Sequence, residues 1–206
     1  MTATPRPTAA AAPRTARTSR SPGHWLAMAL FATGACALLT VCAALAYRHY
    51  ERQFMLEFVP DALGVRSISY RLEESWGFGP GGNEAGIRIY PLPLHVAQDI
   101  EQRGLDFFRT LPPNARQAQR SWRGDYGDWK PTPITASAHW PAPTTPGPLK
   151  VYDYVCKYGF CIDIAPSVLE DAQAIINSPG SYYAYGRIGV MVVSPARQRV
   201  LYLYNG

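Results

Sequence analysis

The sequence predicts an α+β protein: one N-terminal transmembrane helix, then a single domain with a mainly antiparallel sheet and two helices on one face. Three observations lead there. An uncharged apolar run extends from Trp25 to Tyr47; a strand pair, helix, long loop, strand pair, helix and strand pair follow it; and Gly, Pro or Asn residues separate the members of each pair. The 206 residues leave room for a tail, a membrane segment and one core.

Residues 1–24 carry Arg6, Arg14, Arg17 and Arg20 with no acid and little to bury, which predicts a disordered basic tail. The run from Trp25 to Tyr47 has 23 residues without a charge. As a helix it would be about 35 Å long, enough to cross a hydrocarbon core of about 30 Å. Trp25 at one end, with Tyr47 and Tyr50 at the other, supplies rings suited to the two headgroup layers.

Four arginines precede the run and two, Arg48 and Arg52, follow it closely. That asymmetry predicts a cytoplasmic N-terminus and an extracytoplasmic domain over residues 48–206, as in a bacterial inner-membrane protein facing the periplasm. The bilayer is then a partner through residues 25–47. Ala44-Leu45-Ala46 also suits cleavage of a signal peptide, but the tail is long and the run exceeds the usual apolar region of such peptides. A lipoprotein cysteine at Cys36 or Cys42 has poor preceding triplets, and a buried core helix of this length is uncommon. Ala32, Cys36, Thr40 and Ala44 recur every fourth residue, a pattern through which a homodimer of transmembrane helices could pack.

Removing the tail leaves 16 basic and 15 acidic residues. A domain so nearly neutral has no electrostatic footprint for nucleic acid. Its first strand pair spans Val65 to Trp76 and Gly86 to Tyr90, across a glycine cluster at Gly77–Asn83. That cluster resembles a phosphate loop only superficially, because no helix follows it. Val96, Ile100, Gly104, Phe107 and Leu111 form an apolar stripe at helical spacing, with Gly104 suited to a close crossing over the sheet.

Residues 112–148 hold eight prolines together with Trp122, Trp129 and Trp140, and form a long loop that its aromatics should fold down. Thr135 to Trp140 reads as a short strand within it. In VYDYVCKYGFCIDIAP, a turn at Tyr158-Gly159 would place Cys156 opposite Cys161 in a hairpin. Their alpha carbons would then lie about 4.5 Å apart, close enough for a disulfide. The same register puts Asp153 on a sheet face with Val151 and Val155. Ser167 and Glu170 form a capping box for a second helix that buries Val168, Leu169, Ala172, Ile175 and Ile176. Two runs, Tyr182 to Val193 and Arg199 to Tyr204, close the chain as a hairpin.

No common hydrolase, zinc-protease or phosphate-loop motif is present, and neither a cofactor nor a metal set is implied. The catalytic candidates are Asp125 and Asp128, three residues apart in an aromatic loop, and His139 beside Trp140. Trp122, Trp129 and Trp140 are the binding candidates. Together these residues predict a non-catalytic binding or assembly module of the cell envelope, meeting an envelope protein or glycan. The alternative is a membrane-tethered hydrolase acting through the loop carboxylates or His139.

Overall fold

The computed structural model describes residues 22–76, 83–140, 142–143, 147–159 and 161–206. The expected tail disorder and the glycine cluster at residues 77–82 lie outside that description. Two units emerge from the contacts, one ending at His49 and the other comprising Tyr50–Gly206.

The first unit holds most of α1 (Pro22–Leu56), whose segment from Trp25 onward is long and apolar enough to cross a membrane. Its two threonines are accommodated internally, because Thr33 Oγ1 donates to the Ala29 carbonyl and Thr40 Oγ1 to that of Cys36, each at 2.9 Å. Those bonds pair both threonine hydroxyls within the helix, as an apolar surface requires. The helix runs nine residues beyond Tyr47, and its last turns belong to the second unit.

The second unit is built on a six-stranded sheet in the order β1-β2-β6-β5-β4-β3, every pair antiparallel. The strands are β1 (Tyr70–Trp76), β2 (Asn83–Pro91), β3 (Lys130–Pro131), β4 (Tyr182–Tyr185), β5 (Gly189–Ser194) and β6 (Arg199–Asn205). The α+β class and the antiparallel sheet agree with the sequence reading. The helices do not share one face. Alternation along β2 sends Ala85, Ile87 and Ile89 to one core and Tyr90 to another, while β6 divides Leu201 and Leu203 from Val200, Tyr202 and Tyr204.

On the first face lie α5 (Val151–Val155) and α6 (Pro166–Asn177), with Ile134, Trp140 and Leu149. On the second lie α2 (Leu94–Arg103) and α3 (Leu105–Arg109), with Phe58, Val59 and Leu63 from the chain just after α1, and the one-turn helix α4 (Gln117–Arg120) follows α3 in the chain. Every residue of β5 is buried, as a central strand covered on both faces requires.

Several local expectations change for physical reasons. The stripe from Val96 to Leu111 is two helices, because Gly104 adopts φ +58° and interrupts the helical backbone. Gly104 nevertheless approaches the sheet, where an added Cβ would lie 3.4 Å from the Tyr182 hydroxyl. The long C-terminal run is two strands, since Gly186 N–H donates to the Gly189 carbonyl and turns the chain at Arg187-Ile188. The first strand begins at Tyr70, not Val65, and Thr135–Trp140 forms a turn closed by Ser137 N–H on the Trp140 carbonyl. Helix α6 starts at Pro166 with no side-chain cap, in place of the Ser167–Glu170 box.

Around the disulfide, the bond is present but the hairpin is not. Val151, Tyr154 and Val155 fall at i, i+3 and i+4 and bury one face of α5. Asp153 sits in its first turn, accepting the Lys150 N–H at 3.2 Å, and Gln173 Oε1 accepts the Val151 N–H at 3.0 Å. Those bonds satisfy the helix end, so Asp153 is a capping residue and not a sheet-face acid. The turn after α5 brings the alpha carbons of Cys156 and Cys161 to 4.6 Å.

Arg88, 5% exposed, is the charged centre of the second face. Its guanidinium donates to Glu73 at 2.6 Å and Tyr204 Oη at 3.1 Å, and lies 4.9 Å and 4.8 Å from the ring centres of Phe58 and Tyr204. Tyr204 also donates to Glu73. Gly86 leaves room for this cluster, because an added Cβ would meet the Tyr204 ring at 2.2 Å. Near it, Tyr90 donates to the Met55 carbonyl at 3.0 Å, and burial pushes its phenol up to about 12.

Two predictions follow from these contacts. Burial alone would raise the Glu73 pKa, but hydrogen bonds from Tyr204 and Arg88 and the Arg88 charge hold it below its ordinary value of 4.5. A depressed folded-state value means that Glu73 stabilises the fold fully above about 4.5 and that this contribution is lost as pH falls through the folded value. Glu73→Gln should flatten that acidic limb in thermal unfolding measured across pH, whereas an unchanged limb would refute the assignment. For the disulfide, alkylation of denatured protein without reductant should label only Cys36 and Cys42, and the Cys156→Ser, Cys161→Ser variant should lose about 2 kcal/mol of stability.

Candidate functional site

The proline-rich stretch between α3 and α5 is held down by a set of polar contacts. Asp61 N–H donates to Asn114 Oδ1 at 2.8 Å, while the Asp61 carboxylate accepts from the Ala115 N–H at 2.7 Å and from Arg120 at 2.8 Å. Asn114 Nδ2 donates to the Gly124 carbonyl at 2.8 Å, and Arg123 pairs with Glu57 at 2.8 Å. Gly124 has φ +75°, and a Cβ there would lie 2.8 Å from the Glu57 carbonyl oxygen. Only glycine suits both the backbone and that approach.

Aromatic packing completes the attachment. Trp129 stacks on Phe108 with ring centres 4.3 Å apart, and its Nε1 donates to the Tyr126 carbonyl at 3.2 Å. Trp122 meets Phe58 edge-on at 5.5 Å. Tyr126 enters beside Gly186, where a side chain would collide with its ring at 2.8 Å. Burial holds the Tyr126 phenol well above its ordinary pKa.

Against this stretch lies an open cleft of about 650 Å³. The half-buried Trp129 and Tyr126 contribute aromatic surface, the buried Phe108 backs Trp129, Pro112 and Pro113 border the cleft, and Arg109, Lys130, Asp125 and Asp128 supply charge of both signs. Asp128 has φ +50°, a left-handed conformation that Asp tolerates better than most side chains. Aromatic planes beside hydrogen-bonding groups suit a polar ligand with extended flat surfaces.

The residues singled out from sequence are divided among four places. Asp125, Asp128 and Trp129 line the cleft together. Trp122 is half-buried behind it in the second core, and Trp140 is fully buried in the first, its ring 4.7 Å from that of Tyr154. His139 lines a separate cavity of about 440 Å³ and stacks on Tyr185 at 4.5 Å. The three catalytic candidates therefore do not converge on one site. Among the described residues, no group of three His, Cys, Asp or Glu side chains is arranged to hold a metal ion.

Sequence reasoning passed over Phe108, Arg109 and Lys130. No local signal marks them, since Phe107 and Phe108 are both buried in the second core and Arg109 and Lys130 are exposed charges like many others in the chain. Comparison with known families, with curated proteins and with solved structures found no match to this chain.

The two tryptophans with contrasting burial should separate by stability. Trp140→Ala empties a closed core position and should cost about 3–5 kcal/mol. Trp129→Ala, at a half-buried position, should cost clearly less in the same unfolding assay. Equal losses would contradict the division between core and cleft.

Proposed function

We propose that this chain is a single-pass membrane protein whose Tyr50–Gly206 unit acts outside the cytoplasm as a non-catalytic binding or assembly module of the cell envelope. The helix from Trp25 is its anchor, with the arginine-rich N-terminus in the cytoplasm. Supporting the binding role is the cleft in which Trp129, backed by the buried Phe108, and Tyr126 meet a mixed-charge rim. Its partner is an envelope protein or glycan that offers flat apolar surface and hydrogen-bonding groups. Anchoring raises the effective concentration of the module near anything else held at the same surface, so modest affinity suffices.

A second reading, hydrolysis through the carboxylates, draws support from the shared placement of Asp125 and Asp128 on that cleft. An acid and base pair must reach the same scissile bond, and a third group usually orients one of them. With His139 on a different cavity, binding is the better reading.

The decisive experiment places a photoreactive residue at Asp128, on the cleft rim, or at Glu101, on the exposed side of α2, and irradiates intact cells. A defined adduct from position 128 that position 101 does not give supports the binding role. The same adducts from both positions would refute it, and loss of cellular function in Asp125→Asn, with the adduct unchanged when Asp125→Asn is combined with the position-128 probe, would favour hydrolysis. Intact mass of the membrane-fraction chain tests the anchor, which fails if the chain begins at Tyr47.

A further inference from the structure

A smaller cavity of about 370 Å³ in the second unit has a different chemistry from the cleft. Gln53 and Leu56, on the last turns of α1, form part of its lining. Arg66, Arg116 and Arg120 bring three guanidinium groups to the same lining, together with Glu57 and Asp61. Both acids are already engaged, Glu57 with Arg123 and Asp61 with Arg120, each at 2.8 Å. Arg66 and Arg116 are exposed and have no carboxylate within ion-pair distance among the described residues. Arg52 adds a further cation beside them, its Nη2 donating to the Arg66 carbonyl at 2.8 Å.

Arg120 supplies an independent observation. It is 7% exposed, and its Nη1 is buried without an acceptor although its Nη2 is paired with Asp61. A buried guanidinium donor without a partner leaves the positive charge of Arg120 only partly neutralised, and an anion in the cavity that Arg120 lines would be drawn to that charge. Arg116 also holds φ +53°, an unfavourable backbone for arginine that its place on the cavity wall accompanies.

We propose that this cavity binds the phosphate headgroup of an anionic phospholipid in the leaflet from which α1 emerges. The inference rests on the reading of α1 as a retained anchor. Gln53 follows Tyr47, the end of the uncharged run, by only six residues, so the chain itself keeps it within about 20 Å of that end. Each headgroup region is roughly 5–8 Å deep, so a lipid phosphate is within reach of a cavity lined by Gln53. Guanidinium groups match phosphate oxygens with paired N–H donors, and nearby lipid is present at far higher local concentration than a free anion. The headgroup would lie against Arg66 and Arg116 while Arg52 screens its outer side.

The test uses the full chain in detergent, examined by native mass spectrometry with added phosphatidylglycerol, phosphatidylcholine or inorganic phosphate. Wild type should retain one phosphatidylglycerol with marked preference over phosphatidylcholine. Arg66→Ser, Arg116→Ser should bind it about thirtyfold more weakly, from roughly fivefold per basic side chain at a membrane surface. Both side chains are exposed, so the variant's unfolding temperature should match wild type, and the single Arg116→Lys variant should keep most of the affinity. Unchanged phosphatidylglycerol binding in the double variant, or equal retention of phosphatidylcholine, would overturn the proposal. So would complete displacement by millimolar inorganic phosphate, which would mark a free-anion site. A cellular chain beginning at Tyr47 removes the anchor reading and this one with it, whereas a retained helix with unselective lipid binding removes this one alone.

Discussion

Arg88 is the interaction on which the second face of the sheet depends. Taking a guanidinium out of water costs several kcal/mol, and the surrounding residues must offset that cost. Glu73 on β1 supplies charge, Tyr204 on β6 supplies an acceptor and a ring, and Phe58, just past α1, supplies another ring. One side chain thereby joins two sheet strands and the segment leaving α1. Were Arg88 replaced by an apolar residue of similar volume, the core could remain well filled, but Glu73 and Tyr204 would lose their shared partner. The cation therefore contributes register and orientation as much as stability.

That constraint extends to the loops. Because Phe58 is held over the sheet, the residues around it, Glu57 and Asp61, are fixed in position to receive Arg123 and Arg120. Asn114 and Gly124 then close the proline-rich stretch against the same segment. Prolines lack a backbone donor and suit a path outside regular structure, so side-chain contacts do the work that a sheet ladder does elsewhere. The cleft thus sits on a supported wall, although most of its lining comes from irregular chain.

Much of the fold was legible because its period signals are strong. The apolar run in α1, the alternation across β1 and β2, and the buried spacing in α6 each involve several residues that agree. The helix placement was legible too, in principle: Val190–Val193 and Val200–Tyr204 are apolar at successive positions, which a sheet with one solvent-facing side does not sustain. At α5 two periods competed. The sequence VYDYVC alternates well enough for a strand, while Val151, Tyr154 and Val155 match a helix, and the Gln173 and Asp153 contacts that favour the helix come from side-chain geometry.

The site was less legible because its parts come from distant stretches of chain. Asp125, Asp128 and Trp129 are near one another in sequence, and their common cleft was open to inference. Nothing local places Phe108 beneath Trp129, or Trp140 in the opposite core from its neighbours in composition. Tryptophan density marked a stretch that folds down, but it did not say which indoles face a ligand. Burial separates them, and it does so by a simple physical rule: a ring that fills the space between sheet and helix, as Trp140 does, cannot also present that surface to a partner. Under the proposed binding role, recognition would therefore rest on rings that remain half-exposed after the core is filled, which moves the weight of that proposal from the three tryptophans together to Trp129 and the groups around it.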